Sequence, residues 1–204
     1  MSRGPTLAGA PGASAGESRA PSWSGGPGPS ALPGRPGEGG GRSVGQLVVA
    51  VPTAADMKAL GRRLAGGLRA GDLVILEGEL GAGKTVLAQG IGAGLGVTGP
   101  VVSPTFVLCR VHESRAGGPG LVHVDAYRLT DRSEVDDLDL DTLMEDAVTV
   151  VEWGRGLVEG LAEGRLDILI ERSDDVAEDT RRVTITPAGG LADRVWPVVA
   201  EAAS

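Results

Sequence analysis

The chain has 204 residues, enough for one ordinary domain with a tail. Its formal charge is −8 overall and −10 once residues 1–44, at +2, are set aside, and so acidic a body is a poor non-specific binder of nucleic acid. A single cysteine, Cys109, excludes an internal disulfide and a multi-cysteine metal cluster; no run of about 18 apolar residues offers a membrane span, so the expected compartment is the cytoplasm.

Residues 1–44 carry 12 of the 34 glycines and 7 of the 13 prolines. With so few large apolar groups they do not offset the entropy lost on folding, and they read as a disordered tail without a secretory signal. The domain is expected over residues 45–204. "QLVVAV" (46–51) reads as a short strand. "TAADMKALGRRLAGGL" follows as a helix, with Met57, Leu60, Leu64 and Leu68 at helical spacing and Thr53 as N-cap. After the Gly71-Asp72 turn, "LVILEG" is a continuous apolar run and reads as a buried strand. A glycine-rich loop leads into "TVLAQGIGAGL", a helix weakened by its glycines and ending near Gly96.

Farther along, "TFVLCRV" and "LVHVDAYRL" read as strands joined by the turn "ESRAGGPG". The polar "SEVDDLDLDTLMED", with spaced leucines, predicts one or two short helices. "AVTVVEW" is another buried strand and "GRGLVEGLAEG" a short helix. "RLDILIE" and "RRVTITP" alternate like a hairpin across the acidic turn "RSDDVAEDT". "LADRVWPVVAEA" predicts a closing helix disturbed by Pro197. Strands alternating with helices predict an α/β fold, a three-layer sandwich with a mostly parallel central sheet and a C-terminal antiparallel hairpin.

Residues 78–85, "GELGAGKT", match G-x-x-x-x-G-K-[ST] between a strand and a helix. Glycines let successive backbone N–H groups turn around a phosphate, and the helix start adds partial positive charge. Lys84 is placed to reach the β- and γ-phosphates and Thr85 to ligate Mg²⁺. Arginine outnumbers lysine 17 to 2 here, so a lysine at this position marks a need for a compact ammonium. The loop alone leaves hydrolysis, phosphoryl transfer and a binding switch open.

Two carboxylates end apolar strands, Asp125 in "LVHVDAYRL" and Glu152 in "VTVVEWG". Strand-end acids beside a phosphate loop are where Mg²⁺ or an attacking water is managed, although an ordinary solvated acid has the same pattern. Phe106, Tyr127 and Trp153, three of the four aromatics in the body, lie beside these acids or in "VSPTF". Thr105 in that stretch is positioned like the hydroxyl of a switch segment, or of a plain turn. His123 shares a strand face with Asp125 and reads as its partner or as a satisfied core histidine.

In order and spacing, "GELGAGKT", "SPTF", "HVDAYRL" and "VEWG" resemble the TsaE (YjeE) family of small bacterial P-loop ATPases, over roughly residues 46–185. The resemblance implies an ATPase subunit for threonylcarbamoyladenosine modification of tRNA, beside the anticodon. It would act with a TsaD–TsaB pair that performs the carbamoyl transfer and holds most of the tRNA. By position it implies a nucleotide cradle of Glu79, Leu80, Gly81, Ala82, Gly83, Lys84, Thr85 and Val86, with Trp153 alongside. It implies catalytic roles for Lys84, Thr105, Asp125 and Glu152, and Mg²⁺ contacts from Thr85 and Glu152. Asp125 would orient water, an assignment interchangeable with that of Glu152 on sequence alone. The chain departs from many relatives at Val86, in place of a second threonine, and at Met57, in place of a threonine near the adenosine.

Overall fold

Strand pairing across the middle of the chain decides where every later feature sits. A computed structural model describes Met1 and residues 45–115, 117–172 and 180–200. The chain divides into two units, Met1–Gly41 and Arg42–Ser204, and the fold described here belongs to the second. The predicted tail, Met1 apart, and most of the predicted acidic turn lie outside the described residues.

Seven strands form one sheet: β1 (Leu47–Val51), β2 (Leu73–Glu77), β3 (Cys109–His112), β4 (Gly120–Asp125), β5 (Ala147–Glu152), β6 (Arg165–Arg172) and β7 (Arg181–Ala188). Their order is β1-β7-β6-β2-β5-β4-β3. The centre, β6-β2-β5-β4, is parallel. At one edge β6, β7 and β1 run antiparallel, and at the other β3 runs antiparallel to β4. The two central strands, β2 and β5, are the continuous apolar runs, as burial on both faces requires.

Helices cover both faces, giving three layers. One face packs against α1 (Ala54–Ala65), α2 (Lys84–Leu95) and α5 (Ala192–Ala200), through Leu60, Leu64, Leu87, Ile91 and Val195. The other packs Leu73, Ile75, Val122, Val124 and Val151 against α3 (Arg132–Asp136) and α4 (Leu140–Met144). Thr53 caps α1 in a full capping box with Asp56: its hydroxyl accepts from the Asp56 N–H and the Asp56 carboxylate accepts from the Thr53 N–H. Gly96 closes α2 in the left-handed conformation. Pro197 lies inside α5 without ending it.

The glycines that weaken α2 have a packing reason. A Cβ on Gly90 would lie 2.4 Å from the Lys58 carbonyl oxygen, and one on Gly61 would lie 2.5 Å from that of Leu87. The backbones of α1 and α2 therefore touch, which only glycine permits.

Two expectations are corrected. Residues 154–164 form turns rather than a helix: Gly156 takes φ 87°, and Gly154, Gly160 and Gly164 interrupt the rest. The strand predicted from Thr105 begins only at Cys109. Val107 and Leu108 both donate to the Pro104 carbonyl, at 2.8 and 2.7 Å, and curl the first residues into a turn.

Candidate active site

Parallel register aligns three strand ends. Leu76 of β2 pairs with Glu152 of β5, and Glu152 pairs with Asp125 of β4. The glycine loop leaves β2 on the same level, so the loop and both carboxylates meet beyond the carboxyl ends of the strands, where open α/β sheets bind ligands. They line a cleft of about 310 Å³, bounded by Leu80, Gly81, Gly83, Lys84, Thr85, Val86, Ser103, Thr105, Asp125, Glu152 and Trp153.

The loop keeps its shape because Gly78 allows it. Gly78 takes φ 140°, and a Cβ there would sit 2.3 Å from the Ile170 carbonyl oxygen. The helix start at Lys84 has no side-chain cap, so its first N–H groups stay free for an anion. Lys84 is 4% exposed. Its ammonium folds back over the loop and donates to the carbonyls of Gly78 and Glu79, at 2.6 and 3.0 Å. Burial pulls its pKa below the usual lysine value, against the opposing pull of Glu152, Glu77 and Asp125.

Trp153 covers that ammonium, with the Lys84 Nζ 3.7 Å from the ring centroid, a cation–π contact. The backbone of Trp153 is left-handed, φ 63°, a conformation that costs a bulky residue about 1–3 kcal/mol. Its N–H donates to the Leu76 carbonyl at 3.0 Å, which locks the turn beside β2. Tyr127 packs on the same indole, centroids 5.4 Å apart.

The two carboxylates have different partners. Glu152 Oε1 accepts from the Thr85 hydroxyl at 2.8 Å and from His123 Nε2 at 2.9 Å. Asp125 Oδ2 accepts from the Thr105 hydroxyl at 2.6 Å and from Ser103 at 3.4 Å, while its Oδ1 accepts from the Tyr127 N–H at 3.1 Å. Arg128 donates to the Thr105 carbonyl at 2.7 Å and so holds the loop that carries this threonine.

All of the predicted site residues come together here except Glu79 and Ala82, which belong to the loop but do not line the cleft. Glu79 contributes a carbonyl to Lys84, and Ala82 is buried. Sequence reading placed His123 beside Asp125, but its side chain reaches across to Glu152. It did not single out Ser103, or Arg172, whose Nη2 donates to the Gly81 carbonyl at 3.1 Å. Arg172 ends β6, and only the parallel pairing of β6 with β2 brings it to the loop, information that local sequence does not contain.

A smaller recess of about 100 Å³ adjoins the cleft through Gly81, Gly83 and Val86. Thr53, Ala54, Met57 and Arg181 close it. Among the described residues, no group of three or more His, Cys, Asp or Glu side chains is placed to hold a metal ion by itself.

The family model described as "Threonylcarbamoyl adenosine biosynthesis protein TsaE" matches residues 51–183. A Streptomyces coelicolor protein named tRNA threonylcarbamoyladenosine biosynthesis protein TsaE is 60% identical over 135 residues, 65% of this chain and 91% of its own. A Bacillus subtilis protein of the same name is 41% identical over 135 residues, 66% of this chain and 81% of its own. The crystal structure of Bacillus subtilis YdiB matches with a TM-score of 0.58 at 30% identity, covering 80% of this chain and 97% of that one.

Proposed function

The chain belongs to the TsaE family of tRNA threonylcarbamoyladenosine biosynthesis proteins, and we propose that it is the Mg²⁺-dependent subunit that binds and hydrolyses ATP in that modification. TsaD-like and TsaB-like proteins would be its partners in the cytoplasm, with tRNA held mainly by the complex. One observation carries the reading: the Thr85 hydroxyl bonds Glu152, and Asp125 stands beside Glu152 on the next strand, all at the mouth of the phosphate loop.

The residues present fit the ligands. A free helix start, a glycine cradle and a buried ammonium suit a triphosphate. Thr85 and Glu152 offer hard oxygen donors, and Mg²⁺ characteristically takes one or two protein oxygens together with phosphates and water. The recess beside Met57 and Thr53 would take the nucleoside end.

Bound Mg²⁺, held by Thr85 and Glu152, would supply neutralisation of the phosphate charge. Lys84 would exchange its two loop carbonyls for phosphate oxygens, and Trp153 would keep water from its other side. Asp125 would accept a hydrogen bond from the attacking water and so orient it. Thr105 and Ser103 now occupy that carboxylate, so their loop must give way or share it. The same observation favours a second reading, a nucleotide-gated interaction module in which Asp125 is conformational rather than catalytic.

Leu80, Phe106, Val107 and Tyr127 are exposed on the phosphate loop and on the segments carrying Thr105 and Asp125. Large exposed apolar side chains so placed would suit a protein partner engaging beside the nucleotide. Lys84→Ala is expected to lower ATP turnover by at least about 100-fold. Turnover equal to that of the native chain would refute the ATPase reading.

A further inference from the structure

His123 is fully buried, and its ring makes one polar contact. Nε2 lies 2.9 Å from Glu152 Oε1, while Nδ1 has no hydrogen-bond partner. A carboxylate only accepts, so Nε2 is the donor. Strand alternation explains the reach. His123 and Asp125 share the face of β4 that looks toward α2, and His123 pairs with Val150, two residues before Glu152 on the neighbouring strand. The histidine therefore approaches the glutamate from below the cleft rather than from within it.

A buried imidazole with one orphan nitrogen is a costly way to fill a core position, and an aliphatic side chain would fill it without the penalty. What the imidazole adds is a second donor on Oε1. With Thr85 it occupies that oxygen from two directions. No described residue donates to Oε2, and Glu152 lines the cleft.

We propose that His123 is a positioning residue: by holding Glu152 Oε1 from beneath, it fixes the carboxylate so that Oε2 faces the divalent cation of the bound nucleotide. The inference rests on the metal–nucleotide reading of the cleft. Buried partners of this type set the orientation of a ligating carboxylate, and their loss commonly weakens metal binding about 10–100-fold.

The test is Mn²⁺ affinity of the full chain saturated with a non-hydrolysable ATP analogue, read by electron paramagnetic resonance. Analogue affinity without metal is measured in parallel. Three variants separate the roles. His123→Leu removes the donor, His123→Gln restores a donor at the reach of Nε2, and His123→Asn offers one only at the reach of Nδ1. The expected result is Mn²⁺ binding weakened about tenfold or more in the Leu and Asn variants and largely recovered in Gln, with metal-free analogue affinity within about twofold throughout. Should His123→Leu not fold, the Gln and Asn variants decide the matter. Asn matching the native chain, or Gln no better than Asn, overturns the proposal. If the native complex binds Mn²⁺ no more tightly than the free analogue does, the metal–nucleotide reading itself falls, a distinct failure.

Discussion

Lys84 and Glu152 line the same cleft, yet their surroundings differ. Glu152 is met by two donors, whereas the buried Lys84 ammonium donates to two carbonyl oxygens beneath an indole face, within electrostatic reach of Glu152, Glu77 and Asp125. Its pKa in the fold lies below the 10.5 of a free lysine, chiefly through burial. The sign follows directly. The charged form is disfavoured by folding, so the cost is present in full below the folded-state pKa and fades as pH rises toward 10.5. Lys84→Met is therefore expected to unfold no earlier than the native chain at pH 7, while turnover drops by more than about 100-fold. Thermal unfolding and an ATPase assay on one preparation check both halves. A large loss of stability would mean that Lys84 is there for the fold. Trp153 gives a second handle at this scale. Its ring contacts the ammonium that must move when phosphate binds, so nucleotide should change tryptophan emission, and Trp153→Phe should abolish the change. A signal that survives in Trp153→Phe would place the response elsewhere. The phosphate loop and both strand-end acids were legible in the sequence because each carries a local signature. The pairing of His123 with Glu152 was not, because it depends on which strand lies next to β4.

Helix contacts set the next scale. In α2 the glycines lower intrinsic helix stability by about 1 kcal/mol each; the closeness of α1 leaves no room for a side chain at Gly90 or Gly94, and Val101, Leu121 and Val97 crowd Gly92. Gly90→Ala is expected to destabilise by about 1–3 kcal/mol despite the better helix former, because its methyl would press on the Lys58 carbonyl. Chemical denaturation measures this, and a gain in stability would contradict the packing account. Farther from the cleft, Arg194 of α5 grips Asp72 through two 2.7 Å bonds and also donates to the Gly67 carbonyl at 3.0 Å. Asp72 is buried, and Asp72 also accepts from the Arg69 N–H. Arg194→Met should cost about 2 kcal/mol, less than the ~3–5 kcal/mol of breaking a fully buried pair, since the arginine is partly exposed. Caps and continuous apolar runs made α1, α2, β2 and β5 readable from sequence. Residues 154–164, read as a short helix, form turns because their glycines do not sustain one. The placement of β1 beside β7 is a pairing across most of the domain, which no local pattern encodes.

For the molecule as a whole, charge and surface chemistry point the same way. The chain is acidic, and Leu80, Phe106, Val107 and Tyr127 are exposed on segments that lead into the cleft; on the proposed function it would meet protein before nucleic acid. Alone, it should not retard tRNA in a gel at ~150 mM salt, where unpaired phosphate contacts are weak. Retardation at that salt would locate a tRNA surface on this chain. On the proposed function, Phe106, 93% exposed beside Thr105, would be an anchor for a partner. Phe106→Ser is expected to lose partner stimulation while intrinsic turnover stays within about twofold of the native rate. The parallel centre and the antiparallel β6–β7 hairpin were foreseeable from alternating elements, whereas the antiparallel placements of β1 and β3 were not. What the sequence left open, hydrolysis against gating, is also what the static geometry divides least sharply, because Thr105 and Ser103 hold the acid proposed to orient water.

The most direct measurement is ATP hydrolysis by the purified chain, alone and with a TsaD–TsaB pair, for the native protein and for Glu152→Ala. Slow turnover that rises with the partners and disappears in Glu152→Ala is the predicted result. Tight ATP binding without stimulation, or stimulation that persists in Glu152→Ala, would contradict the account.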